Sequence, residues 1–233
     1  MTSAVLEFAG ISKDYHGLRP LRIAELRVAA GDQIAMLGFD RASAEIFVNL
    51  ATGATLPDAG TVTVFGRPTQ SIGDSTEWLA TVDRFGIVSE RAVLLDPLTV
   101  IQNLAMPFTL DIEPPPDAVR VRAEALAREA GLPDAAWTRP VAELDAAGRM
   151  RVRLGRAIAL DPAILLLEHA SAALGRDEVA PLAADLRAIA ARRGIALVAV
   201  TADAAFAGAV ASRVLTLEPA TGKLKPRRRG WFE

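Results

Sequence analysis

The run Gln33-Ile34-Ala35-Met36-Leu37-Gly38, followed by helical spacing of Ile46, Phe47, Leu50 and Ala51, constrains this chain more than any other stretch. Uninterrupted apolar residues from Ile34 to Leu37 fit a strand buried on both faces. The apolar spacing beyond the glycine has the period of a helix lying on that sheet. A strand that turns through glycine straight into a helix is a building unit of α/β folds, and it gathers helix N–H groups at the strand's end. The turn has the frame of a phosphate-binding loop, Gly-x-x-x-x-Gly-Lys-Ser/Thr, opening at Gly38. Its chemistry is changed. Ser43 stands at the second glycine, Ala44 at the lysine and Glu45 at the hydroxyl that holds magnesium. Asp40 adds a second carboxylate and only Arg41 opposes the pair. Like charges ~4 Å apart repel by about 1 kcal/mol in water and by several times that at a protein surface. The loop reads as one built to do without phosphate.

Length and composition bound the rest. At 233 residues, 51% of them hydrophobic, the chain has room for one large domain or a core with a subdomain. Mean hydropathy is +0.26, yet no apolar run approaches the ~20 residues of a membrane span. The N-terminus carries no signal-peptide pattern, so a cytosolic location is expected. The absence of cysteine excludes disulfides, thiolate metal sites and cysteine nucleophiles. His16 and His169 are the only histidines, too few for a histidine-rich metal site. A net charge of −2 predicts no general attraction to nucleic acid. The lysines are Lys13, Lys223 and Lys225. With none between the first and the last two, no shifted alignment restores a loop lysine.

Along the chain, Val5–Phe8 and Leu21–Val28 alternate as strands, joined by a segment carrying Tyr15 and Gly17. Pro57-Asp58-Ala59-Gly60 is a turn into a strand over Thr61–Phe65, and Phe85–Val88 fits a short buried strand. A mixed apolar stretch runs from Leu94 to Phe108. The stiff connector Glu113-Pro114-Pro115-Pro116-Asp117, with Asp117 as cap, leads to a helix that starts beyond it and runs to about Ala130, stopped at Gly131-Leu132-Pro133. A second helix, dense in arginine (Arg149, Arg151, Arg153, Arg156), is expected over Ala146–Ala159. Its arginines read as a solvated face and fold contacts. Ile164–Leu167 is an apolar strand, Val179–Arg193 a helix, Ile195–Val200 a buried strand and Val214–Leu217 the last strand. The tail from Lys223 to Glu233 is basic and then aromatic, suiting either a solvated end or an anionic membrane surface.

With these landmarks in order, the chain resembles the ATP-binding subunit of ABC transporters from about Val5 to about Val214. Gly38 to Gly53 matches that family's phosphate loop and following helix in length. Tyr15 falls at the family's adenine-stacking aromatic, though it equally reads as a packing residue. Glu90 takes the place of the Q-loop glutamine, and Leu94–Phe108 follows as the segment that grips the permease, with Leu95, Leu98 and Val100 as contacts. Asp145-Ala146-Ala147-Gly148 lies where the Leu-Ser-Gly-Gly-Gln signature belongs. Glu168 and His169 occupy the Walker B magnesium ligand and catalytic carboxylate positions. Ala173-Leu174-Gly175 replaces the D-loop, and Ala202 stands at the switch histidine.

The resemblance implies an α/β, P-loop NTPase-like fold of the ABC ATPase kind over 1–218. A core of about 1–89 and 160–218 would carry a helical subdomain of about 90–159, with a basic and aromatic tail over 219–233. The family uses Mg-ATP, but the changed positions imply no cofactor here, no metal and no confident catalytic residue. Glu168 retains a carboxylate suited to magnesium, with Glu90 in reach, and His169 reads as structural. Three functions fit. The first is a non-catalytic subunit docked on a membrane permease and paired with a second cassette chain, at the cytoplasmic face of the inner membrane. The second is an ATP-binding subunit with residual ATPase activity in a heterodimer, and the third is a soluble interaction scaffold.

Overall fold

The computed structural model describes residues 4–227. β1 (Ala4–Lys13) and β2 (Leu21–Ala29) pair antiparallel, with Phe8 opposite Leu26 and Leu6 opposite Val28. β3 (Gln33–Leu37) leads into α1 (Arg41–Ala51). β4 (Ala59–Val64) and the short β5 (Arg67–Pro68) complete an antiparallel sheet of order β2-β1-β4-β5. α2 (Ser75–Val82) precedes β6 (Phe85–Ser89). α3 (Val100–Ala105), α4 (Asp117–Glu129) and α5 (Ala146–Ala157) follow before the chain returns as β7 (Ile164–Glu168). α6 (Arg176–Arg193), β8 (Ala196–Thr201), α7 (Ala204–Val210), β9 (Arg213–Glu218) and β10 (Lys223–Pro226) close the fold. The second sheet has the order β10-β9-β3-β8-β7-β6. It is parallel throughout except for the β10–β9 pair.

Period-two geometry explains why the central strands are apolar without a break. Ile34 and Met36 of β3, with Ile164 and Leu166 of β7, enter a cluster that contains Leu6, Phe8, Phe39, Phe47 and Val62. Ala35 of β3 and Leu165 and Leu167 of β7 enter the opposite cluster, among Leu104, Met150, Leu154, Leu186 and Phe206. A parallel strand so covered has no solvent face on which a polar residue would be favoured. Phe47 of α1 stacks on Phe8 at 5.0 Å and meets Phe39 edge-on at 5.8 Å, which fixes α1 against both sheets. At the edge, α5 sits directly on β6. A methyl added at Gly86 would lie 2.4 Å from the Ala157 carbonyl oxygen, so only glycine lets them approach.

Several expectations change. β1 runs on to Lys13, and α2 had no recognised periodicity. The Leu94–Phe108 stretch folds as a loop and a short helix held by a reciprocal cap between Thr99 and Gln102. Asn103, fully buried, ties that loop down by bonding the backbone of Leu95, Leu98 and Thr99. The tail does not begin as a free end: Lys223–Pro226 is a strand paired on β9, so Val214–Leu217 is not the last strand. Arg228, Arg229, Trp231, Phe232 and Glu233 lie outside the described residues. No helix among the described residues is long and apolar enough to cross a membrane.

Candidate functional site

The carboxyl ends of β3, β6, β7 and β8 bring the candidate residues to one edge of the parallel sheet, where ligand crevices form in open α/β folds. Gly38 follows β3 with φ +93°, and a Cβ there would stand 3.1 Å from the Leu217 carbonyl oxygen, so the turn requires glycine. Glu90 and Arg91 follow β6, Glu168 ends β7, and Ala202 follows β8. Arg41, Ala42, Glu45, Ser89, Glu90, Arg91, Glu168 and His169 surround a cavity of about 430 Å³.

The start of α1 is occupied from within. Asp40 is the N-cap, and its carboxylate accepts from the Ser43 N–H at 2.8 Å and the Ser43 hydroxyl at 2.6 Å. The Ser43 hydroxyl and then its N–H hold the Asp40 carboxyl below the usual carboxylate range. Ser43 and Ala44 are buried, Ala44 completely, among the residues that hold Phe39 and Phe47. α5 repeats the device: exposed Asp145 accepts from the Gly148 N–H at 2.7 Å. Asp203 does the same for α7, accepting from Ala205 and Phe206, and it also receives the buried Ser171 hydroxyl at 2.9 Å. Ala202 itself is exposed.

Ion pairing in the cavity differs from the sequence expectation. Arg41 does not oppose the loop carboxylates; it reaches Glu90 at 3.4 Å with an exposed side chain. Arg91, which the sequence reading passed over, grips Glu168 with two N–H groups, Nε at 2.8 Å and Nη2 at 2.6 Å. Its Nη1 donates to Glu45 at 3.0 Å. Glu168 and Glu90 are therefore each paired to arginine rather than left free for a metal, and no cluster of three metal-ligating side chains occurs among the described residues. The missed signal was a cation directly after Glu90 at a strand end, opposite an apolar strand that finishes in a carboxylate. His169 takes φ +45° and donates its N–H to the Val200 carbonyl, while its Nε2 is buried without a hydrogen-bond partner.

Other expected positions scatter. Tyr15 is half-buried and packs on the cluster that contains Phe8 and Phe47. Asp145, Ala146, Ala147 and Gly148 do not line the cavity. Leu95 and Leu98 are half-buried, but Val100 is 0% exposed, which removes it as a contact: as the first residue of α3 it faces the core. A groove of about 360 Å³ lies nearby instead, lined by Phe85, Ile87, Leu94, Met106 and Leu160 with Arg153 and Arg156. Those arginines donate to the carbonyls of Glu90, Ala92 and Val93. Burial pulls both below the ordinary guanidinium range.

Residues 21–172, more than half of the chain, match the ABC transporter family. The chain is similar to the methionine import ATP-binding protein MetN of Brucella abortus (strain 2308), 29% identical over 218 residues that cover 93% of this chain and 58% of that protein. It is also similar to the ribose import ATP-binding protein RbsA 1 of Mesorhizobium japonicum, 32% identical over 193 residues, 78% of this chain and 36% of that protein. The chain thus spans little more than half the length of the curated MetN relative. Among solved structures, the dimeric bacterial ABC transporter cassette MJ0796 superposes with a TM-score of 0.77 at 20% identity, covering 97% of this chain and all of that one. CbiO1 from Clostridium perfringens, part of the ABC transporter complex CbiONQ, gives 0.79 at 18% identity over 95% of this chain and 86% of its own.

Proposed function

The chain belongs to the ABC transporter family, and on that premise we propose that it is a non-catalytic cassette subunit, one that docks on a membrane permease without hydrolysing ATP. The observation that carries this reading is the start of α1. Its first free N–H groups are where a phosphate would bind, and the Asp40 carboxylate already holds the Ser43 N–H and hydroxyl. Ala44 stands buried at the lysine position and Glu45 brings a further negative charge. Phosphoryl transfer depends on positioning and charge stabilisation, and this donor set supplies neither, so Mg-ATP does not fit it. The named relatives are import proteins, which favours an uptake system, with the chain at the cytoplasmic face beside a permease and paired with a second cassette chain.

The permease contact assigned here is the groove beside β6, where the proposed helical subdomain of about 90–159 meets the proposed core. Apolar walls with two guanidinium groups against the single carboxylate of Asp83 leave the groove net positive, which suits an apolar helix that carries an acidic side chain. Titration calorimetry tests the nucleotide half of the reading: no saturable Mg-ATP binding is expected below millimolar concentration, and a micromolar Kd overturns it. Ala44→Lys alone is expected to give no turnover. Ser43→Gly, Ala44→Lys, Glu45→Ser and His169→Glu together should recover binding before hydrolysis. Leu160→Asp, on the exposed rim of the groove, should release the full chain from native membranes without unfolding it. A variant that stays bound at high salt defeats the docking half.

A further inference from the structure

We propose that Arg91 takes the place of a metal ion as the counter-charge of Glu168 in this cavity, so that the buried carboxylate is neutralised by a side chain of the chain itself; this rests on the reading that the chain works without Mg-nucleotide. Glu168 ends β7, flanked in the sheet by β6 and β8, and is 5% exposed. An ionised carboxylate at that depth requires a counter-charge and hydrogen bonds to both oxygens. Arg91 supplies both through Nε and Nη2, and its remaining Nη1 crosses to Glu45 on α1. Two carboxylates on separate elements thus share one cation, the arrangement that a hard metal ion creates with oxygen ligands. The guanidinium differs in offering its donors in a fixed plane, so it holds geometry as well as charge.

The backbone aims Arg91 at this task. Ser89 lies opposite Glu168 in the β6–β7 register, and its buried hydroxyl accepts the Arg91 N–H at 3.1 Å. The turn after β6 is thereby folded back toward the end of β7, and the side chain reaches Glu168 across that register. Arg41 is no substitute, since it is 80% exposed and touches Glu90 only at 3.4 Å. A small cation entering between Glu45 and Glu168 would have to displace three hydrogen bonds from Arg91 and then sit beside the displaced guanidinium.

The test is thermal unfolding of the purified full chain, wild type and variants, with and without 10 mM Mg²⁺ — about the concentration at which weak carboxylate sites fill. Wild type should show no Mg²⁺ shift. Arg91→Gln should lower the Tm by about 5 °C, and Mg²⁺ should return part of that loss because the bared Glu168 then needs a cation. Arg91→Gln/Glu168→Gln should be more stable than Arg91→Gln and indifferent to Mg²⁺. If Arg91→Gln fails to fold, Arg91→Lys, which keeps the charge and loses the fork, should show a smaller loss and no Mg²⁺ response. Independent, additive effects at positions 91 and 168, or an Mg²⁺ shift in wild type, overturn the role of Arg91. Micromolar Mg-ATP binding by wild type with strong 91–168 coupling would break the nucleotide-free reading and leave that coupling standing.

Discussion

Two arginines in this molecule grip a glutamate in the same two-pronged way, at opposite ends of the parallel strands. Arg91 holds Glu168 at 2.8 and 2.6 Å where β6 and β7 finish. Arg193, the last residue of α6, holds Glu129, the last residue of α4, at 2.9 and 2.5 Å just before β8 begins. Arg193 also donates to the Ile158 carbonyl at 2.9 Å and to Asp161 at 2.7 Å, so it staples three helix ends together. It has no part in the lining of the site cavity. Hydrogen-bond geometry alone therefore does not separate a site from a joint; the surroundings do. One pair closes a cavity at the end where ligands bind in such folds, and the other fills a seam between helices.

The comparison is sharpened most by removing the joint. Arg193→Ala should cost about 2 kcal/mol, since in a seam less than a quarter exposed it leaves Glu129 only a 3.7 Å contact with the exposed Arg192 and leaves the Ile158 carbonyl only the Asp161 N–H at 3.4 Å. Urea unfolding measures the loss, and Mg²⁺ should restore none of it. A Mg²⁺ rescue at Arg193 equal to that at Arg91 would erase the distinction. Acid sharpens the same contrast. Hydrogen bonds from Arg193, and then its charge, hold the Glu129 carboxyl below the usual range. A carboxylate with a depressed folded pKa contributes stability that is present above its unfolded pKa and is lost as pH falls through the folded one. Wild type should therefore lose about 1 kcal/mol more than Glu129→Gln between about pH 5 and pH 3. Parallel loss in the two proteins would assign the pair no net worth.

These pairs also mark how far the sequence could be read. The α/β fold was legible because β3, β7 and β8 are covered on both faces and so read as unbroken apolar runs. The Gly38 turn was legible because φ +93° with a tight approach to the Leu217 carbonyl favours glycine. The positions of Ser43, Ala44 and Glu45 followed from fixed spacing after that glycine. Pairing was not legible. Asp40 appeared as a repelling charge, whereas its carboxylate turns back to cap α1, and nothing in spacing tells a cap from a projecting side chain. Arg91 and Glu168 are 77 residues apart and meet only because β6 and β7 are neighbours. Val100 failed as a contact because a short helix turned its apolar side inward.

Asp40 gives the next smaller effect. Asp40→Ala should cost about 1 kcal/mol through loss of the α1 cap, and Asp145→Ala about the same at α5. Asp40→Asn, which keeps an acceptor, should cost less than half of that. Calorimetry on Asp40→Ala should still show no Mg-ATP binding below millimolar concentration, because the loop still lacks its lysine and keeps the Glu45 carboxylate. Tight binding by this single variant would mean that the Asp40 carboxylate alone had kept nucleotide out.

The smallest expected effect separates the two arms of Arg91. Its contact with Glu45 joins side chains that are 44% and 46% exposed, whereas Glu168 on the other arm is 6% exposed. Water screens the first arm more than the second, where only the arginine is exposed, and exposed pairs contribute little. Glu45→Gln should therefore change stability by no more than about 0.5 kcal/mol, and the change should fade at high salt. Glu168→Gln should cost more and keep its cost in salt, because it leaves the guanidinium facing a neutral amide at the bottom of the cavity. Both are read from urea unfolding at low and high sodium chloride. If Glu45→Gln proves the costlier change, the centre of the network lies on α1 rather than at the end of β7, and Arg91 is holding the helix instead of neutralising the strand.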